Sequence, residues 1–256
     1  MPVTRSTLRK AGKAARERLG QPAARAGRSV PCYGDWADEV IYGGIWSRPG
    51  LALADRMICT LAVLSLLQRL DALKAFVGTA LDIGLPPRAI VEVFMQAGLY
   101  GGFPTTEASA ACASDVFAAR SVSVTDEPAR NDSNETLDAR GEELMARMHG
   151  ERGQQGYAAP GNSITGALYP SAVRYGYGEL WFRPGLVHRQ RMLVAVASFT
   201  VLGLEAQLRK FAQSALNMGL LRNEIIEAVI QTAPYGGFPR ALNGLGILSE
   251  VLPKDA

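Results

Sequence analysis

The sequence predicts an all-α protein built from two tandem helical domains, and three observations support this fold class. The chain of 256 residues contains the same series of motifs twice at a constant spacing. Its long apolar segments have the length and the end signals of helices. No run of alternating apolar and polar residues is long enough to indicate a sheet. Two similar bundles in one chain would form an internal pseudo-dimer, which can arise when a symmetric interface between subunits becomes intramolecular.

The repeat is clearest around a Trp-x-Arg-Pro-Gly-Leu motif. "GGIWSRPGLALADRM" at 43–57 matches "GELWFRPGLVHRQRM" at 178–192, which lies 135 positions later. The alignment continues without insertion to "YGGFP" at 100–104 and at 235–239. Upstream, "RERLG" aligns more loosely with "ARMHG", so that Gly20 faces Gly150.

The domain boundaries follow from the repeat and from a polar segment between the copies. Residues 121–135 are rich in charged and small polar side chains and have no apolar periodicity, which indicates a linker. We therefore predict a first domain at 1–120 and a second at 136–256.

Each domain is predicted to begin its core with a long apolar helix. Segments 51–70 and 186–204 have the composition of buried helices, and Gly203 marks the end of the second. In the first domain, Asp71 is the predicted N-cap of a shorter helix. Gly84 and Gly219 are placed to end that helix in the two domains.

A third and a fourth helix complete each domain. Pro86 and Pro87 suit the first turn of the third helix, because proline is tolerated where the backbone N–H has no helical partner. "YGGFP" then supplies the glycines and the proline that turn the chain. Thr105 or Thr106 is the predicted cap of the last helix in the first domain.

Composition narrows the cellular setting and the partners. The formal charge of +3 does not demand a nucleic acid or an anionic membrane. Cys32, Cys59 and Cys112 have no C-x-x-C spacing, which argues against a disulfide framework and a zinc site. The apolar runs are shorter than the roughly 20 residues that span a membrane. We expect a cytoplasmic protein without a nucleic-acid or membrane partner.

The first thirty residues are strongly basic and lack the apolar core of a secretory signal. A solvated amphipathic helix or a frayed terminus is the favoured interpretation, and contact with RNA or phospholipid is the alternative. The basic residues are Arg5, Arg9, Lys10, Lys13, Arg16, Arg18, Arg25 and Arg28.

The motif order resembles the carboxymuconolactone decarboxylase family, relatives of the alkylhydroperoxidase D proteins. The motifs are Trp-x-Arg-Pro-Gly-Leu, an arginine before an apolar helix, Ala-Leu-x-x-Gly-Leu, Ile-x-Glu and Tyr-Gly-Gly-Phe-Pro, and they cover nearly all of both halves. The resemblance implies an all-helical fold, decarboxylation of a lactone acid from aromatic catabolism, and assembly into trimers of paired domains or hexameric rings. We therefore expect a homo-oligomer, with a trimer of two-domain chains favoured.

The family's catalytic positions are not retained here. The resemblance places its glutamate at Met57 and Met192, and its histidine at Phe76 and Phe211. Its two cysteine positions hold other residues in both halves: Arg69 and Ala72 in the first, Leu204 and Gln207 in the second. Without a cysteine pair, thiol peroxidase chemistry is excluded. The loss of histidine also removes the obvious proton donor for decarboxylation.

A polar stripe on the third helix is the remaining candidate for chemistry. Glu92, Gln96 and Tyr100 lie four residues apart and share one helix face, and Glu227, Gln231 and Tyr235 repeat the pattern. Arg56 and Arg191 are the natural counter-charges. A structural ion pair is the favoured interpretation of these charges, and a grip on a substrate carboxylate is the alternative.

Other motif residues also have two interpretations. Arg48 and Arg183 either orient an anionic substrate or cover the tryptophan ring. The apolar motif residues either line a cavity or are plain core. His188, whose counterpart is Leu53, is a candidate acid or base, or a surface residue at a helix start. His149 is expected at the end of a helix without a functional setting.

We therefore expect an enzyme that needs no cofactor or metal and that decarboxylates, or transfers a proton in, a small carboxylate or lactone. The alternatives are a non-catalytic protein that binds an apolar ligand or acts as a scaffold, with Phe76 and Phe211 filling the old site, and an enzyme for a larger hydrophobic metabolite. The predicted catalytic residues are His188, Arg191, Tyr235 and Glu227. The predicted substrate-binding residues are Arg48, Arg183, Trp46, Trp181, Arg56, Phe76, Phe211 and Tyr100.

Overall fold

The computed structural model describes residues 4–23, 30–124, 130–159 and 161–254, and within these ranges all regular structure is helical. The first half contains α1 (Arg5–Arg18), α2 (Tyr33–Ala37, continued by a π-helix at Asp38–Trp46), α3 (Leu53–Leu66), α4 (Leu70–Asp82), α5 (Pro87–Gly101) and α6 (Phe103–Ala119). The second half contains α7 (Asn134–His149), α8 (Tyr169–Ser171, continued by a π-helix at Ala172–Glu179), α9 (His188–Leu202), α10 (Glu205–Asn217), α11 (Arg222–Gly236) and α12 (Phe238–Val251). Short 3₁₀ turns lie at Gly150–Gln154, Gly156–Ala158 and Leu180–Phe182. The all-α prediction is confirmed.

The two halves share one core built around α3 and α9. These helices pack on each other, α5 of the first half packs against α9, and α11 of the second half packs against α3. Every residue at 56–66 and at 191–201 is buried, as expected for helices that are apolar on all sides. The halves therefore form an internal pseudo-dimer with an extensive apolar interface.

Several predicted helix ends are confirmed. Pro87 is the first residue of α5. Gly84 and Gly219 follow α4 and α10 with φ of 88° and 85°, a backbone conformation that glycine adopts without strain. Gly203 caps α9 with φ of 69°.

Two predicted N-caps are wrong. Asp71 lies inside α4, which begins one residue earlier, at Leu70. Thr105 and Thr106 lie inside α6, because Gly102 (φ 98°) lets the helix begin directly after the turn. The long helices are also shorter than predicted, at Leu53–Leu66 and His188–Leu202.

Close helix packing fixes how α1 and α7 correspond. A Cβ on Gly12 would lie 1.8 Å from the carbonyl oxygen of Asp38, and a Cβ on Gly141 would lie 2.6 Å from that of Val173. Asp38 and Val173 are equivalent in the repeat, so Gly12 and Gly141 are equivalent as well.

This correspondence makes Arg18 the counterpart of Arg147. The predicted pairing of Gly20 with Gly150 is therefore wrong by one residue. The physical reason is that α7 ends at His149, two residues past the equivalent of Arg18, so that the glycine after it lies one position later than Gly20 does after α1.

The basic segment at the start of the chain forms a helix, α1, one of the two forms that the sequence favoured. Arg5, Arg9 and Arg16 of α1 form ion pairs with carboxylates that follow in α2 and its π-helical extension. Arg25 and Arg28 lie outside the described residues. Residues 125–129 of the predicted linker do so too, and α7 begins at Asn134, inside the predicted linker range. Over the described ranges, no helix has the length and apolar character needed to cross a bilayer.

Candidate active site

The two halves exchange the arginines of the repeated motif. Glu227 of α11 lies between Arg48 and Arg56 of the first half: Arg48 Nη2 is 2.7 Å from Oε1, and Arg56 Nη2 is 2.8 Å from Oε2. The sequence predicted Arg56 as a counter-charge of a stripe, but neither the pairing of Arg48 with Glu227 nor the exchange between opposite halves. We call this group, together with Gln231 and Tyr235, the first cluster.

The second cluster has the same arrangement around Glu92 of α5. Arg183 Nη2 lies 3.0 Å from Oε1 of Glu92, and Arg191 Nη2 lies 2.9 Å from Oε2. Arg88, one turn earlier on α5, adds a third guanidinium at 3.0 Å. The Arg88 position in the repeat holds Asn223 in the first cluster.

The repeated Arg-Pro-Gly turn is part of this exchange. Arg56 Nη2 donates to the carbonyl oxygens of Arg48 and Pro49, at 2.8 and 3.2 Å, and so holds the turn. Gly50 has φ of 93° and packs so closely against the other half that a Cβ would lie 2.1 Å from Asn223 Nδ2. Each half therefore needs its own Arg-Pro-Gly turn, because the turn of one half binds the polar stripe of the other half.

The two carboxylates and the two helix arginines, Arg56 and Arg191, are buried, whereas Arg48 and Arg183 are partly exposed. Burial raises the pKa of Glu227, but hydrogen bonds and charge from Arg48 and Arg56 outweigh it, and the pKa lies below its usual range. Burial lowers the pKa of Arg191, and Glu92 only partly opposes this effect. Arg191 Nε is buried without a hydrogen-bond partner among the described residues.

The side-chain amides of the two stripe glutamines donate to different partners, because one residue differs between the halves. Gln231 Nε2 donates to Thr60 Oγ1 at 3.1 Å. The equivalent of Thr60 is Ala195, which has no hydroxyl. Gln96 Nε2 therefore donates to the hydroxyl of Tyr100, at 2.8 Å.

Tyr235 has a different partner from Tyr100. Its hydroxyl accepts a hydrogen bond from Trp46 Nε1 at 2.7 Å, so its own proton is not used in that bond. Burial raises the pKa of Tyr235 well above its usual value, and the phenol stays protonated at neutral pH. Tyr100 instead packs on Phe199, with ring centroids 4.6 Å apart.

The two phenylalanines at the family's histidine position are buried, and neither points to bulk solvent. Phe76 lies between Trp46 and Tyr235, with centroids 5.9 and 5.4 Å away. Phe211 lies between Phe199 and His149, at 4.8 and 4.9 Å. Both belong to aromatic clusters of the core.

A cavity of about 310 Å³ opens beside the first cluster. Three arginines, Arg48, Arg56 and Arg18 of α1, are among the residues that line it, and Trp46 forms part of its wall. Arg18 is exposed and makes no ion pair within the described part of the chain. Its place at this cavity was not predicted, because only the fold brings α1 to the motif. The other lining residues are Ala15, Leu19, Ser47, Leu51 and Leu53.

His188 lies in the second half's motif, as the first residue of α9. Arg147 Nη2 lies 2.6 Å from His188 Nδ1, and the ring contacts Trp181 and Phe182 with centroids 6.0 and 5.1 Å away. Burial, aided by the charge of Arg147, lowers the pKa of His188. The predicted catalytic residues are thus divided: Tyr235 and Glu227 lie in the first cluster, whereas Arg191 belongs to the second.

His149 has a buried hydrogen-bond network that the sequence did not reveal. Ser214 Oγ donates to the carbonyl oxygen of Lys210, so it accepts from His149 Nδ1, 2.7 Å away. The hydroxyl of Tyr177 is 3.0 Å from Nε2 and donates to it. Burial, with smaller contributions from Lys210 and Arg152, lowers the pKa of His149 to about 3.

This neutral histidine predicts an acid-sensitive fold. Because an exposed histidine titrates near 6.5, protonation below that pH favours the unfolded chain. The contribution of His149 is complete above pH 6.5 and is lost as the pH falls toward 3. Between pH 7 and 5, His149→Gln should reduce the loss in unfolding free energy by about 2 kcal/mol. Urea denaturation at the two pH values measures this, and an equal loss in both proteins would contradict it.

No group of three or more potential metal ligands among His, Cys, Asp and Glu occurs in the described ranges. The three cysteines are free, and burial raises the pKa of the Cys59 thiol.

Comparison with known proteins agrees with the duplicated architecture. The family model "Carboxymuconolactone decarboxylase family" matches residues 31–115 and 167–250. The 4-carboxymuconolactone decarboxylase of Acinetobacter baylyi is 34% identical over 82 residues, which cover 32% of this chain and 60% of that protein. The nitrosuccinic acid decarboxylase of Metarhizium robertsii is 30% identical over 82 residues, 31% of this chain and 56% of that protein.

A third relative is an uncharacterized 15.0 kDa protein of Paracoccus denitrificans, 33% identical over 84 residues. That match covers 30% of this chain and 63% of the relative. The chain thus spans less than two thirds of the length of each of these relatives. Since the family model matches both halves, including both Arg-Pro-Gly turns and both polar stripes, this chain belongs to the carboxymuconolactone decarboxylase family.

Proposed function

We propose that the protein is a lyase that decarboxylates a small carboxylate or lactone acid in the cavity beside Arg48 and Arg56. The observation that carries this proposal is an excess of positive charge. Three arginines, Arg18, Arg48 and Arg56, line the cavity, and one carboxylate, that of Glu227, pairs with two of them. Such a site attracts an anion, and guanidinium binds a carboxylate with two parallel hydrogen bonds.

The walls of the cavity suit the loss of carbon dioxide. Trp46, Leu51 and Leu19 present apolar surface. An apolar wall replaces part of the hydration shell of a bound carboxylate, which favours its departure as uncharged CO₂. Arg48 and Arg56 then stabilise the negative charge that remains on the substrate.

The proposed reaction is redox-neutral and uses no cofactor. The bond between carbon and the carboxyl group breaks, its electron pair stays on the substrate as a carbanion or enolate, and a proton completes the product. The hydroxyl of Tyr235 lies 2.7 Å from Nε1 of Trp46, which lines the cavity, although Tyr235 is not itself among the lining residues. Tyr235 is the proposed proton donor, because its phenol is protonated and its hydrogen is not used by Trp46. Glu227 stays ionised and holds the two arginines in place.

The relatives support the reaction class. Two of them are named for the decarboxylation of an acid, 4-carboxymuconolactone and nitrosuccinic acid. A role in aromatic catabolism, a cytoplasmic location and a trimer of two-domain chains stay predictions.

A binding protein without catalysis is the second candidate. It is favoured by Phe76 and Phe211, which occupy the family's histidine position as parts of aromatic clusters. The same cavity would then hold an apolar acid without converting it.

Release of CO₂ from 4-carboxymuconolactone and from nitrosuccinate separates the two candidates. We expect turnover by the wild-type protein, and Arg48→Met should lower kcat/KM by roughly 10- to 100-fold, the effect of losing a hydrogen bond to a charged group. Arg209→Met is a matched control, since Arg209 is similarly exposed (47% against 42%) and also paired with a glutamate. Binding of the acids without CO₂ release would favour the second candidate.

A further inference from the structure

We infer that only the first cluster is a working site, and that the second cluster has been closed by larger side chains and kept as structure. This inference rests on the proposed function for the role of the first cavity. It rests on the geometry alone for the difference between the halves.

The correspondence between the halves shows what fills the second site. Ser47, which lines the cavity, is replaced by Phe182 at the equivalent position. Ala15, on the α1 side of the cavity, is replaced by Leu144. Both changes add several carbon atoms where the first half has open space.

The polar mouth is also occupied. Arg18 makes no ion pair with the described residues at the first cavity, and Leu53, which lines the same cavity, cannot accept a hydrogen bond. In the second half the corresponding residues are Arg147 and His188, which bind each other at 2.6 Å. The guanidinium that would meet an anion is therefore engaged by an imidazole.

Aromatic contacts complete the closure. Phe182 meets the His188 ring edge-on at 5.1 Å, and Trp181 lies between His188 and Tyr177, with centroids 6.0 and 6.4 Å away. Glu92 is held by three arginines, as expected of a structural junction. The two halves have thus diverged at this position: Ser47 and Arg18 line a cavity in the first half, whereas Phe182 and Arg147 contact His188 in the second.

Iodide quenching of single-tryptophan proteins tests this without any enzyme assay. Trp36 is 51% exposed and would dominate the signal, so it is replaced in both proteins. Trp36→Phe/Trp181→Phe reports on Trp46 in the first cavity. Trp36→Phe/Trp46→Phe reports on Trp181. Iodide is an anion that the guanidinium groups attract, and we expect its quenching constant to be several-fold larger for Trp46.

Exchanging the filling residues should reverse the difference. Ser47→Phe in the Trp46 protein should lower its quenching several-fold. Phe182→Ser with His188→Leu in the Trp181 protein should raise it toward the Trp46 value. Circular dichroism and thermal melts verify that each protein is folded. If the Trp181 protein with Phe182→Ser and His188→Leu does not fold, the quenching of the Ser47→Phe protein alone tests the inference.

Equal quenching of Trp46 and Trp181, or no effect of Ser47→Phe, would overturn the inference. Protection of Trp46 by succinate, a carboxylate probe, should accompany strong quenching, and protection of Trp181 instead would also overturn it. A lack of CO₂ release in the decarboxylase assay would refute the proposed function but leave the quenching result unchanged, so the two failures are distinguishable.

Discussion

Replacing Glu92 with alanine is expected to lower the free energy of unfolding by about 3–5 kcal/mol, the usual effect of removing one partner from a buried ion pair. Glu92 and Arg191 both have fully buried side chains. Without the carboxylate, the fully buried Arg191 would lose its counter-charge while the guanidinium of Arg183 stays close to it. Neither Gln96 nor the carbonyl oxygen of Arg183 can neutralise Arg191, although both accept hydrogen bonds from it.

Chemical denaturation of the wild type and Glu92→Ala measures this difference. Glu92→Gln should give a smaller loss, because the amide keeps an acceptor for the guanidinium groups. Glu250→Ala is the control: its pair with Arg209 is exposed and should contribute less than about 1 kcal/mol. A loss for Glu92→Ala no larger than that of the control would show that the second cluster does not hold the halves together.

Tyr235→Phe is expected to lower kcat by roughly 100-fold or more, within the range found for a proton donor. The substitution keeps the ring packed on Phe76 and removes only the hydroxyl. KM should change little, because the carboxylate is held by the arginines. The rate of CO₂ release at saturating substrate measures the effect.

A structural role of Tyr235 would give a different result. If the hydroxyl only positioned Trp46, thermal stability would fall while kcat stayed within about two-fold, and the product would take its proton from water; the 100-fold expectation would then be wrong. Tyr175→Phe serves as the control, since Tyr175 is an exposed tyrosine of the second half. Its kcat should match that of the wild type.

Much of the fold was predictable because the repeat contains residues whose own backbone preferences determine the local structure. Pro87, Gly84 and Gly203 mark helix ends by their backbone preferences alone. The stripe of Glu92, Gln96 and Tyr100 follows from helical spacing. The wrong N-caps at Asp71 and Thr105 show the limit of such rules, since a glycine or a tight turn one or two residues earlier can start the helix first.

The site was less predictable, because it is made by contacts between distant segments. Nothing in the spacing of Arg48 and Glu227 indicates that they pair across 179 positions. The sequence placed Arg18 only in a solvated basic helix. The structure shows that this helix, α1, packs beside the motif, where Arg18 lines the cavity. The sequence did show that Leu53 and His188 are equivalent positions of the repeat. That His188 binds Arg147 became evident only from the structure.

The most direct test of the claim that the first half holds the substrate is a crystal structure with succinate, a carboxylate that we do not expect the protein to decarboxylate. We expect one succinate per chain in the first cavity, with a carboxylate oxygen within hydrogen-bond distance of Arg48 or Arg18 and the carbon chain against Trp46. Succinate bound at Arg183 and Arg191 instead, or an empty first cavity at saturating succinate, would contradict the claim that the first half holds the substrate.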